Sequence, residues 1–208
     1  MAYVVGFFAA DGYITVNKRG GQFWCIQITD RNLLFSIRKI IGSNHAISVR
    51  KRKNRTEKTQ YRLQIGSIEM CNDLRAIGFS ENKTKSLAVP YISKKYFPDF
   101  IRGYFDGDGN VWVGFLHKSR KIPLLGLQTM FTSCSYRFLH DIHERLRIHG
   151  VVGGSLYTAK GNFSRLQFSA KDSLKLYDFM YNGMVKDLPI LYLKRKRVIF
   201  EKFKHLRP

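Results

Sequence analysis

"FFAADGYIT" at residues 7–15 decides how this chain is read. A small, apolar, helix-like segment runs into Asp11-Gly12 and becomes at once an alternating, strand-like run. The same event returns about a hundred residues later as "YFDGDGNVWV" at 104–113. Gly6 and Ala10 precede the first aspartate, four positions apart and so on one helix face; Gly103 and Gly107 repeat that spacing before Asp108. Small residues at this spacing let two helix backbones approach closely. The expectation is that two short helices pack at the junction of two halves through Gly6 and Gly103, bringing Asp11 and Asp108 side by side. A carboxylate at a helix C-terminus meets the negative end of the dipole, and two close carboxylates repel. A divalent cation between them removes both costs. Magnesium favours carboxylate oxygens, waters and phosphates, and metal ions across a phosphodiester activate water and stabilise the leaving oxygen.

The repeat organises the whole chain. "YRLQIGS" at 61–67 recurs as "SRLQFSA" at 164–170. Half one reads as a helix 2–11, strands 13–18 and 22–29, a helix "NLLFSIRKII" capped near Asp30 and Asn32 and ended by Gly42, strands 46–53 and 59–66, and a helix closing at Gly78. Half two reads as a helix 98–108, strands 110–117 and 124–132, a helix ending at Gly150, strands 154–159 and 163–169, a helix 172–182 and a last basic helix over 190–204. The expected fold is α+β: two pseudo-symmetric αββαββα repeats, each with a four-stranded antiparallel sheet and helices on one face. The halves are 1–88 and 98–208, joined by a linker 89–97 between Pro90 and Pro98. The opposite face of each sheet is left to water or a ligand.

Composition narrows what that ligand is. The chain has 208 residues, 44% of them hydrophobic, and a formal charge of +21 from 36 Lys+Arg against 15 Asp+Glu. Such a charge repels itself unless an anion offsets it, and nucleic acid is the first candidate. A membrane is disfavoured: the longest apolar run, "YVVGFFAA", falls far short of the ~20 residues of a span, and no basic segment suggests a signal peptide. Cys25, Cys71 and Cys134 form no CxxC pair, which argues against a disulfide framework or a cysteine zinc site and for an intracellular setting. "HDIHERLRIHG" at 140–150 reads as a solvated helix rather than a metal site, although His140 and Glu144 share a face.

Strand alternation assigns the faces. Tyr13, Thr15, Asn17 and Arg19 fall on one side of the first strand, with Ile14 and Val16 on a core-like side. Ser48, Arg50 and Arg52 share a face, as do Arg62 with Gln64 and Arg165 with Gln167. Arg and Gln read guanine and adenine edges in the major groove by paired hydrogen bonds. Gln27, Trp112, Lys118, Gln128 and Tyr157 complete the candidate DNA-contacting set. The basic runs "RKRKNRTEKTQYR" at 50–62 and "KRKRVIFEKFKHLR" at 194–207 suit phosphate contact, which positions without specifying sequence.

"VVGFFAADG" at 4–12 and "IRGYFDGDG" at 101–109 resemble the two copies of the LAGLIDADG motif of single-chain homing endonucleases, and the αββαββα order resembles that family's repeat. The first copy departs at Ala9, where the signature has an earlier aspartate. The resemblance implies an endonuclease for double-stranded DNA, monomeric, whose sheets form a saddle over a long asymmetric target of about twenty base pairs. It implies that Asp11 and Asp108, with the backbone carbonyls of Ala10 and Gly107, hold Mg2+ or another divalent ion such as Mn2+, with Ca2+ binding without cleavage. Each aspartate would serve one strand, leaving short 3′ overhangs. It further implies an assisting lysine in each half, Lys83 (with Lys85 as rival) and Lys196 (with Lys194 as rival), and a polar residue after the second strand at Asp30 and Ser133. The alternatives on the same scaffold are an RNA maturase that assists splicing of intron RNA and a non-cutting DNA-binding regulator. Both acids being present favours the nuclease.

Overall fold

A computed structural model describes residues 1–50, 56–81, 86–116, 119, 121–183 and 190–206. The first helix, α1 (Ala2–Asp11), buries Tyr3, Val4, Gly6, Phe7, Phe8 and Ala9. Apolar almost all round, it is a core helix rather than a surface one. Strands β1 (Gly12–Val16) and β2 (Gln22–Ile28) follow, then α2 (Arg31–Ile40), β3 (Ile47–Arg50), β4 (Gln60–Gly66) and α3 (Ile68–Ala76). A short 3-10 turn at Lys94–Tyr96 leads into α4 (Phe97–Asp108), with a proline in its first turn, where the missing N–H costs nothing. The second half then runs β5 (Gly109–Leu116), β6 (Leu124–Ser133), α5 (Tyr136–Ile148), β7 (Ser155–Ala159), β8 (Phe163–Phe168), α6 (Ala170–Tyr181) and α7 (Lys194–Leu206).

The helix boundaries have local causes. Asp30 caps α2 by accepting from the Leu33 N–H at 2.9 Å, Ser67 caps α3 from Met70 at 3.1 Å, and Ser135 caps α5 from Phe138 at 3.2 Å. Each satisfies a backbone donor the helix cannot. Gly42, Gly78 and Gly150 follow α2, α3 and α5 with φ of 67°, 100° and 85°, the left-handed ending that glycine adopts without a Cβ penalty.

Each half folds into an antiparallel sheet, ordered β1-β2-β4-β3 in the first and β5-β6-β8-β7 in the second. In the first, Ile14, Trp24 and Ile65 stand in one cross-strand row, and Ile26 and Leu63 in the next; all five are buried. In the second, Phe131 pairs with Leu166 and Thr129 with Phe168 on the covered face. One apolar cluster runs through both halves by way of α1 and α4. Aromatic rings knit it together: Phe8 stacks on Trp24 at 5.7 Å, and Phe105 meets Phe131 edge-on at 5.6 Å.

Two local expectations change. β1 stops at Val16, which is 48% exposed rather than core. Asn17 is drawn out of the strand into a turn, where its Oδ1 accepts from the N–H groups of Arg19 and Gly21 at 2.9 and 2.8 Å. This is the local side-chain bonding by which Asn competes with a ladder. The last helix begins at Lys194 rather than 190, because Leu191 and Leu193 are first threaded into the core.

Candidate functional site

The two aspartates are placed by the helices that carry them. A Cβ on Gly6 would lie 2.0 Å from the carbonyl oxygen of Phe100, and one on Gly103 would lie 2.0 Å from that of Tyr3. The contact is reciprocal and backbone against backbone, so neither position has room for any other residue. Further along, a Cβ on Gly107 would meet the Ala10 Cβ at 2.3 Å and Asp11 Oδ2 at 3.2 Å. The Asp11 carboxylate therefore rests against the backbone one residue before Asp108. Asp11 is half-buried and Asp108 exposed. Tyr104, buried between the halves, has its phenol pushed well up, first by burial and then by Asp108, with Asp11 adding to it. Both carboxylates thus act on one ring. Its hydroxyl donates to the Thr132 carbonyl at 2.7 Å.

Each aspartate also opens onto its own cavity. Asp11 lines one of about 220 Å³ with Gln27, Asp30, Asp106, Gly107 and Arg195. Asp108 lines one of about 240 Å³ with Ala9, Ala10, Thr132, Ser133 and Cys134. In both, an acid at the end of one motif faces the small residues of the other. The donors here are carboxylate and carbonyl oxygens at helix ends, and the described residues hold no cluster of three His, Cys, Asp or Glu. Such an oxygen set fits a hard ion that keeps waters and phosphate oxygens as further ligands, and does not fit zinc.

Behind the aspartates lies a buried ionic group that the sequence pattern did not signal. Asp106, at the signature position occupied by Ala9 in half one, is 1% exposed. Its Oδ2 accepts from the Tyr3 hydroxyl at 2.7 Å and the Leu193 N–H at 2.8 Å, while Oδ1 has no partner. Burial pushes its pKa up to about 6 against those two bonds and the charges of Lys196 and Arg102. Lys196 is 6% exposed and caps the end of α4, its Nζ donating to the carbonyls of Phe105, Asp106 and Gly109 at 2.6, 2.8 and 2.5 Å, and more distantly to Gly107. Burial lowers its pKa to about 8, opposed by Asp106, Asp11 and Asp108. Arg102, also buried, donates to the carbonyls of Leu191 and Met180 at 2.9 and 2.7 Å. Asp106 and Arg102 hold the segment before α7 against α4, and Lys196 holds the first turn of α7 there. Lys194 is exposed, and Arg195, overlooked in the sequence, lines the Asp11 cavity. Lys83 and Lys85 lie outside the described residues, as do Arg52 and Lys118. Asp30 caps α2 and lines the Asp11 cavity, and Ser133, the last residue of β6, lines the Asp108 cavity; the N-cap that matches Asp30 in half two is Ser135.

Residues 1–77 match the LAGLIDADG-like domain family. The whole chain superposes on LAGLIDADG meganucleases. I-AabMI bound to uncleaved DNA gives a TM-score of 0.62 at 18% identity over 98% of this chain and 89% of that one. I-WcaI bound to its DNA recognition sequence gives 0.63 at 15% over 96% and 84%. This is the LAGLIDADG fold. Another structure sharing it, I-SmaMI, is bound to an uncleaved DNA target in the presence of calcium ions. Among curated proteins, an uncharacterised protein of Methanocaldococcus jannaschii is 25% identical over 89% of this chain and 67% of its own length. A probable translation initiation factor IF-2 of Thermococcus kodakarensis is 30% identical over 76% of this chain. The chain spans only 14% of that factor's length.

On the LAGLIDADG scaffold the open sheet faces carry the remaining candidates. In the first sheet, Tyr13, Cys25 and Gln64 form one cross-strand row, Gln27, Arg62 and Ser48 the next, and Arg50 pairs with Gln60 beyond. Thr15 stands on this face opposite Phe23. Gln60, which the sequence did not single out, accepts from both Gln27 and Arg50, the latter at 2.9 Å. In the second sheet, Trp112 pairs with Gln128, and Arg165 pairs with Thr132 and Tyr157. The Tyr157 hydroxyl donates to Gln167 Oε1 at 2.9 Å. Asn17 and Arg19 sit in the β1–β2 turn, off the ladder. Among the described residues, none of the strands contains an Asp or Glu. The helix with His140 and Glu144 is a surface one, Glu144 pairing with Arg147 at 3.2 Å. No helix of the described residues is long and apolar enough to cross a membrane.

Proposed function

We propose that this chain is a site-specific endonuclease for double-stranded DNA, acting as a monomer on a long asymmetric target of about twenty base pairs. The observation that carries this reading is the convergence of Asp11 and Asp108 on helices in backbone contact, at the edge of two sheets whose described strands carry no acid, on a chain of +21. Asp11 and Asp108, with the carbonyls of Ala10 and Gly107, would hold Mg2+ or Mn2+, which when bound supplies an acidified water and charge neutralisation at the leaving oxygen. The chain's own residues do the rest. Arg50, Arg62, Gln64, Arg165 and Gln167 present paired donors and acceptors to base edges. Lys196 offsets the negative end of α4 beneath Asp108. Arg195 stands in the Asp11 cavity where a phosphate would enter. Each aspartate serves one strand, and water adds across one P–O bond per strand to leave short 3′ overhangs. The duplexes bound in structures that share this fold support the choice of DNA. The likeness to the initiation factor covers 14% of that protein and supports no role in translation.

The test begins with selecting cleaved sites from a randomised duplex library in magnesium. Asp11→Asn and Asp108→Asn are then expected to bind the selected duplex as the parent does while losing double-strand cleavage. Undiminished cleavage by either variant sinks the two-aspartate mechanism. Binding by the parent with no cleavage in Mg2+ or Mn2+ would indicate a DNA-binding regulator instead, and stimulated splicing of an intron RNA a maturase.

A further inference from the structure

The two open sheet faces are not chemically alike. The first carries Arg50 and Arg62 among Gln27, Gln60 and Gln64. The outer part of the second is a plate of apolar groups. Trp112 is 42% exposed and Leu124 is 47% exposed, although both stand on strands of a well-formed sheet. Beneath them two glycines, Gly114 and Gly126, face each other across β5 and β6. A Cβ on Gly114 would lie 2.4 Å from Trp112 Cζ2, and one on Gly126 would lie 2.5 Å from Leu116 Cδ1. The indole and the Leu116 side chain therefore lie flat along the sheet, over the places where side chains would otherwise rise. Glycine weakens a strand interior and often marks a place where a ligand comes close. Here a facing pair of glycines converts a row of upright side chains into a low hydrophobic floor of Trp112, Leu116 and Leu124.

Resting on the reading of the chain as a DNA endonuclease, we propose that this plate reads thymine methyl groups in the major groove of the half-site bound by the second half. The floor is continuous along the same face with Gln128 opposite Trp112, Gln167 opposite Met130 and Arg165 opposite Thr132, and the described strands carry no acid to repel a duplex. The C5-methyl of thymine is the apolar feature of the major-groove edge, and the side chains that sense it are apolar. In half one the corresponding row is Thr15 opposite Phe23, whose ring lies beside Gly66, and the strands end one row further on in the Asn17–Gly21 turn, so no glycine pair and leucine row extend it into a floor. The asymmetry predicts an asymmetric target: hydrogen-bonded purine readout on one side, methyl readout on the other. Trp112 and Leu124 stand three and seven residues along the ladder from Gly109, roughly 10 to 24 Å at the strand rise. That spans roughly three to seven base-pair steps from the aspartates.

The experiment uses the full chain and its selected duplex. Replacing thymine by deoxyuridine, one position at a time, removes only the methyl. The expected result is about a fourfold loss of affinity for each contacted methyl, from the transfer cost of one such group, confined to the half-site of the second half. Uracil in the other half-site is expected to change affinity less than twofold, and Trp112→Ala to erase the thymine preference while its melting temperature stays near that of the parent. If the duplex is bound and cut but no thymine is preferred in that window, or uracil there is silent, methyl readout is overturned and the nuclease reading stands. If the chain binds no duplex, both fall. Should Trp112→Ala fail to fold, the uracil scan on the parent protein decides alone.

Discussion

Gly103→Ala adds one methyl at the place where the two motif helices touch. That methyl would stand 2.0 Å from the Tyr3 carbonyl oxygen and 2.8 Å from the Phe7 nitrogen. Both obstacles are backbone atoms of a buried helix, so no side chain can swing away. Ordinary contact begins at 3.4 Å, so α1 and α4 must part by about 1.4 Å at their crossing. Overpacking a tight core costs about 1–3 kcal/mol, and an immovable obstacle puts this case at the upper end. Alanine regains about 1 kcal/mol as a better helix former than glycine, leaving a net loss of about 2 kcal/mol. For a chain of this size that lowers Tm by roughly 4–8 °C, measured by circular dichroism or calorimetry. Gly183→Ala is the control, because a Cβ there meets nothing within 4 Å; its Tm is expected within about 1 °C of the parent, as for a surface change. Since Asp11 rests on the backbone at Gly107, the same parting separates the carboxylates, and cleavage should fall far more than duplex binding. A Gly103→Ala protein with parental Tm and parental cleavage would refute the close-approach argument and, with it, the account of how the aspartates are placed.

Other outcomes follow from the buried ionic group and the open faces. Asp106→Ala orphans the Tyr3 hydroxyl and the Leu193 N–H and should cost about 2–4 kcal/mol in urea unfolding, whereas Asp106→Asn keeps an acceptor and should lose clearly less. Lys196→Met removes the ammonium from the carbonyls of Phe105, Asp106 and Gly109, of which Phe105 keeps the Gly109 N–H; a loss of about 2 kcal/mol is expected despite relief of the buried charge, and unchanged unfolding would show that water replaces the ammonium. Arg62→Ala should weaken the selected duplex by about 1–3 kcal/mol and a scrambled duplex much less, as titrations at fixed salt would show. The logarithm of affinity should fall linearly with the logarithm of salt, with a slope of about −0.9 per phosphate contact, and a flat dependence would contradict binding through the positive charge.

The parts of this molecule legible in its sequence are those governed by local periodicity or by a repeat. The helix ends at Gly42, Gly78 and Gly150, the cap at Asp30, and the face shared by Arg62 and Gln64 depend on residues within a few positions of one another, so the chain states them directly. The Gly6–Gly103 crossing is a long-range contact, yet it was legible because each motif carries half of a symmetric requirement and the requirement appears twice. What stayed hidden was asymmetric. Asp106 has Ala9 as its counterpart, so the repeat itself argued that the position was idle, while its partners Tyr3 and Leu193 lie at opposite ends of the chain with no spacing to connect them. Lys196 could be matched to the family by its neighbourhood, but its burial under the end of α4 depends on Leu191 and Leu193 entering the core first, which shifts the helix start from 190 to 194. Asn17 was misplaced because alternation counts residues without asking which backbone groups an amide can capture. Symmetry therefore supplied the pair of aspartates, while the departures from symmetry — Asp106 against Ala9, Trp112 against Thr15 — supply what distinguishes one half from the other. A chain that binds an asymmetric duplex in one orientation, as proposed above, needs such departures; of these two, Asp106 is buried structure, whereas Trp112 stands on the open face, and its substitution should alter how the second half reads its half-site while leaving the fold in place.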